Sequence, residues 1–138
     1  AGAAPADAGP PLAARAQRRL RRWHRRILAE GAAFAGLDDA HVHALRKRVK
    51  RQRYAVEFLA PLLRAGDIDP YLAALAALQD RMGELNDLWV ARDLFQARVE
   101  TDPAAWFALG WLAARIADAR RRAAQALERL GEVAPPRA

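Results

Sequence analysis

His43-Ala44-Leu45-Arg46-Lys47-Arg48-Val49-Lys50-Arg51-Gln52-Arg53-Tyr54 is the stretch whose reading decides the fold. At about 100° per residue, His43, Arg46, Lys47, Lys50, Arg53 and Tyr54 fall within about 120° on one side of a helix. Val42, Leu45, Val49, Val56 and Leu59 gather on the far side. One face suits a core and the other suits anions. Solvated helices commonly interleave signs, because like charges one turn apart repel. Here Arg46/Lys50 and Lys47/Arg51 stack like charges, and no acid appears until Glu57. A polyanion supplying the missing charge explains such a row.

Outward from this stretch the helix is expected to span Asp38 to Ala65. Asp38 is a good N-cap, Leu37 and Val42 stand at hydrophobic-staple positions, Pro61 should kink the helix, and Gly66 should end it. Before it, a helix from about Leu12 to Glu30 carries Ala16, Leu20, Trp23 and Ile27 as its apolar stripe and stops at Gly31 as a C′ residue. Arg15, Arg18, Arg19, Arg22 and Arg26 line a neighbouring face of that helix as a second basic ladder. Phe34 and Leu37 should cap the end of the core. A third helix is expected from Asp69 as N-cap and Pro70 at N1 to about Glu100, with Leu72, Leu75, Leu78, Met82, Leu85 and Trp89 on one face. Asp102 and Pro103 repeat the cap for a fourth, carrying Trp106, Leu109, Leu112, Ile116, Ala123 and Leu127 and ending at Gly131. Trp23, Trp89, Trp106 and Trp111 are read as core.

Four long amphipathic helices with short connections and no strand signal predict an all-α antiparallel up-down four-helix bundle over 12–131. Residues 1–11, rich in Ala, Gly and Pro, read as a linker or frayed terminus, and 132–138 as a tail. A first residue of Ala after such a linker suggests a piece of something longer; a trimmed Met is the alternative.

The 138 residues suffice for one core, and 53% hydrophobic content excludes wholesale disorder. There is no 18-residue apolar run and no signal-peptide pattern, so a soluble product is expected, with no membrane partner. Zero Cys excludes disulfides and thiolate chemistry and fits a cytoplasmic setting. The net charge of +7 is uneven: residues 1–66 hold 14 Lys and Arg against 5 Asp and Glu, and residues 67–138 hold 9 against 11. The basicity therefore belongs to the first half, mostly as Arg, whose planar fork fits phosphate.

His43-x-Leu45-Arg46-Lys47-x-x-Lys50-x-x-Arg53-Tyr54, followed by Leu78-Gln79-x-x-Met82-Gly83-Glu84-Leu85-Asn86-Asp87, resembles the CHAD family of histidine-bearing α-helical domains. Met82 stands where the family usually has Leu. The resemblance implies one of the two four-helix halves of such a domain, the C-terminal one, and a basic groove that binds inorganic polyphosphate. It also implies an association with polyphosphate granules or with a CYTH triphosphatase domain.

By that resemblance His43 donates to phosphate; its residue-level alternatives are a surface histidine or a metal ligand. The metal reading is weak, because His41 and His43 lie about 200° apart on a helix and His24 is on another. Tyr54 is either a rim aromatic or a hydroxyl donor to phosphate. Asp87 is expected to pair with a basic residue on a neighbouring helix, and Gly83 to permit close helix approach. Polyphosphate offers no bases, which matches a basic face read as lacking surface aromatics, whereas nucleic-acid binding favours interleaved aromatics. An enzymatic alternative, the regulatory half of a phosphohydrolase, needs a carboxylate cluster for a metal that the scattered acids do not suggest. No catalytic residue, metal or cofactor is therefore expected. The second basic row of a complete groove is expected from a homodimer partner or a second CHAD half.

Overall fold

The structure, a computed structural model, describes residues 11–138. The expected linker, apart from Pro11, lies outside the described residues. These residues form four helices, α1 (Leu12–Gly31), α2 (Asp39–Leu59), α3 (Ala65–Gln96) and α4 (Ala104–Gly131), with no strand among them. Short 3-10 turns at Phe34–Gly36 and Ala60–Leu62 serve the first two connections. Each helix packs on the next in sequence, and α4 returns to touch α1 and the Phe34 turn.

The core is one cluster. Leu20 and Ile27 of α1, Val42, Leu45, Val49 and Val56 of α2, and Tyr71, Leu75, Leu78, Met82, Leu85 and Trp89 of α3 converge on it. From α4 come Ala119, Ala123 and Ala126, small residues at helical spacing that let its backbone come close, together with Leu127 and Leu130. Phe34 and half-buried Leu37 close the end as expected.

Several boundaries differ from the sequence reading. Asp38 does cap α2, accepting a hydrogen bond from the His41 backbone at 2.8 Å. The helix then stops at Leu59 instead of running to Ala65. Pro61 has no N–H to donate to Glu57, and the chain tightens into the 3-10 turn before Leu63 and Arg64 go extended. Gly66 consequently lies in the first turn of α3 and ends nothing. Asp69 caps nothing either. Pro70 sits just past the first turn, where its missing N–H forfeits only the bond to Gly66, so the helix begins at Ala65. Gly31 is the last residue of α1 and no left-handed cap, for no glycine among the described residues has positive φ. It is buried, and a Cβ there would overlap the Leu127 side chain, so close approach is its role. Asp102 acts as expected, accepting from the Ala104 N–H at 3.0 Å.

Two features were not foreseen. The tail docks: Arg137 holds the Asp67 carboxylate at 2.9 Å, its carbonyl accepts from the Arg64 N–H, and Ala138 donates to Gln17. The hydrogen bonds from Arg137 hold Asp67 below its ordinary carboxylate pKa. Secondly, a polar chain runs through the core. Gln52 Nε2 donates to the Leu20 carbonyl at 2.9 Å and to the Tyr71 hydroxyl at 3.0 Å, and the hydroxyl lies 2.9 Å from His24 Nδ1. With Gln52 donating to the hydroxyl, the Tyr71 O–H is left to donate to Nδ1 in the His24 tautomer protonated on Nε2. Burial lowers the His24 pKa and pushes Tyr71 up to about 12. The network ties α1, α2 and α3 together.

The tryptophans separate. Trp89 is in the core, with the Arg120 guanidinium 5.0 Å from its ring centre. Trp23 is half-buried under Arg19 at 4.8 Å. Trp106 and Trp111, expected in the core, are 64% and 55% exposed. Asp39 at the start of α2 reaches Arg92, and Leu37 reaches Arg120. The first turns of α4 lie beyond that level.

Candidate anion-binding surface

On α2, the side opposite Val42, Leu45, Val49, Gln52 and Val56 is turned outward, as its periodicity requires. His43, Lys47, Lys50 and Tyr54 are exposed and Arg46 and Arg53 half-buried. The row fans across the surface. Arg46 and Arg53 lean toward α3: the Arg46 Nη2 lies 3.6 Å from where a Gly83 Cβ would stand, and Arg53 donates to Gln79 at 3.3 Å. Lys47 and Lys50 point to solvent, with Lys50 5.9 Å from the ring centre of Tyr54.

The two sequence signatures therefore touch. Gln79 and Gly83, one turn apart on α3, receive Arg53 and Arg46, two turns apart on α2. Gly83 does not serve backbone approach, since a Cβ there would meet only that guanidinium, at ordinary contact distance. Asp87, expected to hold a base on another helix, makes no ion pair among the described residues. It lines an open groove between α3 and α4 with Arg115 and Arg122.

On α1, Arg15, Arg18, Arg19, Arg22 and Arg26 are all exposed along the flank beside α2. The first four line a shallow cleft of about 500 Å³ with Leu12 and Leu59. The two expected ladders do not face each other directly. Arg48 and Arg51, which the sequence reading left out, lie between them and line a pocket of about 120 Å³ with Trp23, Arg26 and Ile27. Their signal was present in the same basic run, one step round the helix toward α1. Sequence reading also missed Phe58, one turn after Tyr54 and 85% exposed, so aromatics do adjoin the basic rows.

Of the 13 Lys and Arg on α1 and α2, three have a carboxylate partner among the described residues. Arg26 and Arg48 share Glu30, and Arg53 meets Glu57 at 3.4 Å. The other ten have none. His41 is held by Asp38, while exposed His43 has no carboxylate partner among the described residues. No three His, Asp or Glu side chains converge among the described residues.

Fold and surface define an all-helical protein with a dense arginine and lysine surface on its first two helices. A protein-family model described as the CHAD domain matches residues 1–96, and the chain belongs to the CHAD family. The match covers α1 through α3 and stops where α3 stops. No curated protein and no solved structure matches the chain. No helix among the described residues is long and apolar enough to cross a membrane.

Proposed function

We propose that the chain binds inorganic polyphosphate through the continuous surface made by Arg15, Arg18, Arg19, Arg22 and Arg26 of α1 and His43, Arg46, Lys47, Lys50, Arg53 and Tyr54 of α2, joined by Arg48 and Arg51. The observation that carries the reading is that eight of the eleven Lys and Arg of this surface have no carboxylate partner among the described residues. Such crowding is repulsive until a linear anion neutralises it. The reading takes the helices as an antiparallel up-down bundle. Supporting it, Leu20 meets Gln52 while Glu30 meets Arg48, and Arg53 meets Gln79 while Asp39 meets Arg92.

The surface acts by binding, without catalysis, at cytoplasmic polyphosphate granules or beside a triphosphatase domain. A twofold partner or second CHAD half supplies further basic rows. Exposed Tyr54 and Phe58 favour a second reading, single-stranded nucleic acid stacking its bases there. Titration with long-chain polyphosphate, single-stranded and duplex DNA, and ATP, at matched phosphate concentration and physiological salt, tests both. Polyphosphate should bind most tightly. Equal affinity for all four would reduce the surface to general electrostatics, and a preference for single strands would move the assignment to nucleic acid.

A further inference from the structure

Glu30 stands in the last turn of α1 and reaches across to α2. Its Oε2 lies 2.6 Å from Arg48 Nε and its Oε1 3.3 Å from Arg26 Nε. One carboxylate is thus shared between guanidinium groups of two helices, beside the pocket those arginines line with Trp23, Ile27 and Arg51. The pocket, at about 120 Å³, far exceeds the roughly 10–15 Å³ that one water needs, so it can admit a phosphoryl group. An anion with two oxygens on two guanidinium groups is also how arginines hold phosphate.

We infer that Glu30 is an internal competitor for the phosphate chain, occupying the place of a phosphoryl group between Arg26 and Arg48, and that it biases the surface toward long chains over short ones. The inference rests on the polyphosphate reading. The side chains of Glu30, Arg48 and Arg26 are 36%, 32% and 60% exposed, so both pairs are screened and individually weak. A long polyphosphate can run along the neighbouring unpaired cations and pass Arg26 and Arg48 by, so its affinity depends little on displacing the carboxylate. A triphosphate spans only a few cations, and at this pocket it gains Arg26 and Arg48 only by displacing the carboxylate. A short ligand therefore either leaves Arg26 and Arg48 unused or binds beside a repelling carboxylate.

The test compares Glu30→Gln, which keeps size and one acceptor oxygen while removing the charge, with Asp80→Asn, an equal charge change at an exposed α3 position with no ion pair among the described residues. Tripolyphosphate and long-chain polyphosphate are titrated against wild type and both variants over a range of salt. With Glu30→Gln, affinity for tripolyphosphate should rise about five-fold and that for long chains less than about two-fold. The salt slope for tripolyphosphate should steepen by roughly 1.4, about 0.7 for each newly engaged arginine. Asp80→Asn should leave the ratio of the two affinities unchanged. If Glu30→Gln follows Asp80→Asn in ratio and slope while wild type binds polyphosphate, the competitor role is overturned and the binding reading stands. Failure of wild type to bind either phosphate overturns both.

Discussion

The α1–α2 face and the far end of the α3–α4 pair both carry apolar residues at helical spacing and end up with opposite surfaces. On α2 the apolar stripe is covered along its length and the charged side is left to solvent. At the end of α3 and the start of α4, Val90, Leu94, Trp106, Phe107 and Trp111 are exposed although they stand at helical spacing. The difference is one of neighbours. α2 lies against α1 and α3, and α1 against α2 and, in part, α4, whereas the first turns of α4 extend past the level of Asp39 and Leu37. Periodicity states which face a helix can bury; the lengths of the surrounding helices state whether anything buries it.

The largest expected effect tests that contrast within one residue type. Trp89→Ala should destabilise the fold by about 3–5 kcal/mol, as for other buried aromatics, and Trp106→Ala by less than about 0.5 kcal/mol, as for exposed positions. Urea unfolding of the two variants measures both, and comparable losses would show that the α4 start is covered in solution. Next, replacing Arg46, Lys47, Lys50 and Arg53 together by Ala should weaken polyphosphate binding about 100-fold or more, because four cations that donate charge-assisted hydrogen bonds to phosphate are removed at once. Circular dichroism should show undiminished helix, since none of these side chains belongs to the core. A folded quadruple variant that binds like wild type would remove α2 from the site.

The smallest effect concerns the buried polar chain beneath that face. Burial lowers the His24 pKa, so the unfolded chain binds more protons below pH 6.5, and stability should be full above that value and decline as pH falls beneath it. Tyr71 has the opposite sign: its contribution is complete below pH 10 and should be lost as pH rises toward about 12. Urea midpoints across pH 5 to 8 for wild type and His24→Gln check the first. An identical slope in both would show that His24 is not the group responsible.

The outward placement of the candidate surface was legible in the sequence because a helix converts spacing directly into direction. The rows from Arg15 to Arg26 and from His43 to Tyr54 needed no tertiary knowledge to be placed on outward faces. Gln52 shows the limit. It stands inside the basic run, yet its position on the buried side of α2 becomes meaningful only with Tyr71 from α3 and the Leu20 carbonyl from α1 beside it. The same holds for Gly83, whose neighbour Arg46 arrives from another helix.

The sequence by itself determined that the chain is all-helical, that its first half is basic, and which side of each helix seeks the core, since these follow from the period of the helix and the identities of the residues. Only the tertiary structure decided that Arg48 and Arg51 bridge the two basic rows, that Glu30 stands between Arg26 and Arg48, and that Trp106 and Trp111 stay in solvent. Those outcomes depend on the relative rotation and overlap of neighbouring helices. They are set by packing across α1, α2, α3 and α4, and no local spacing encodes them.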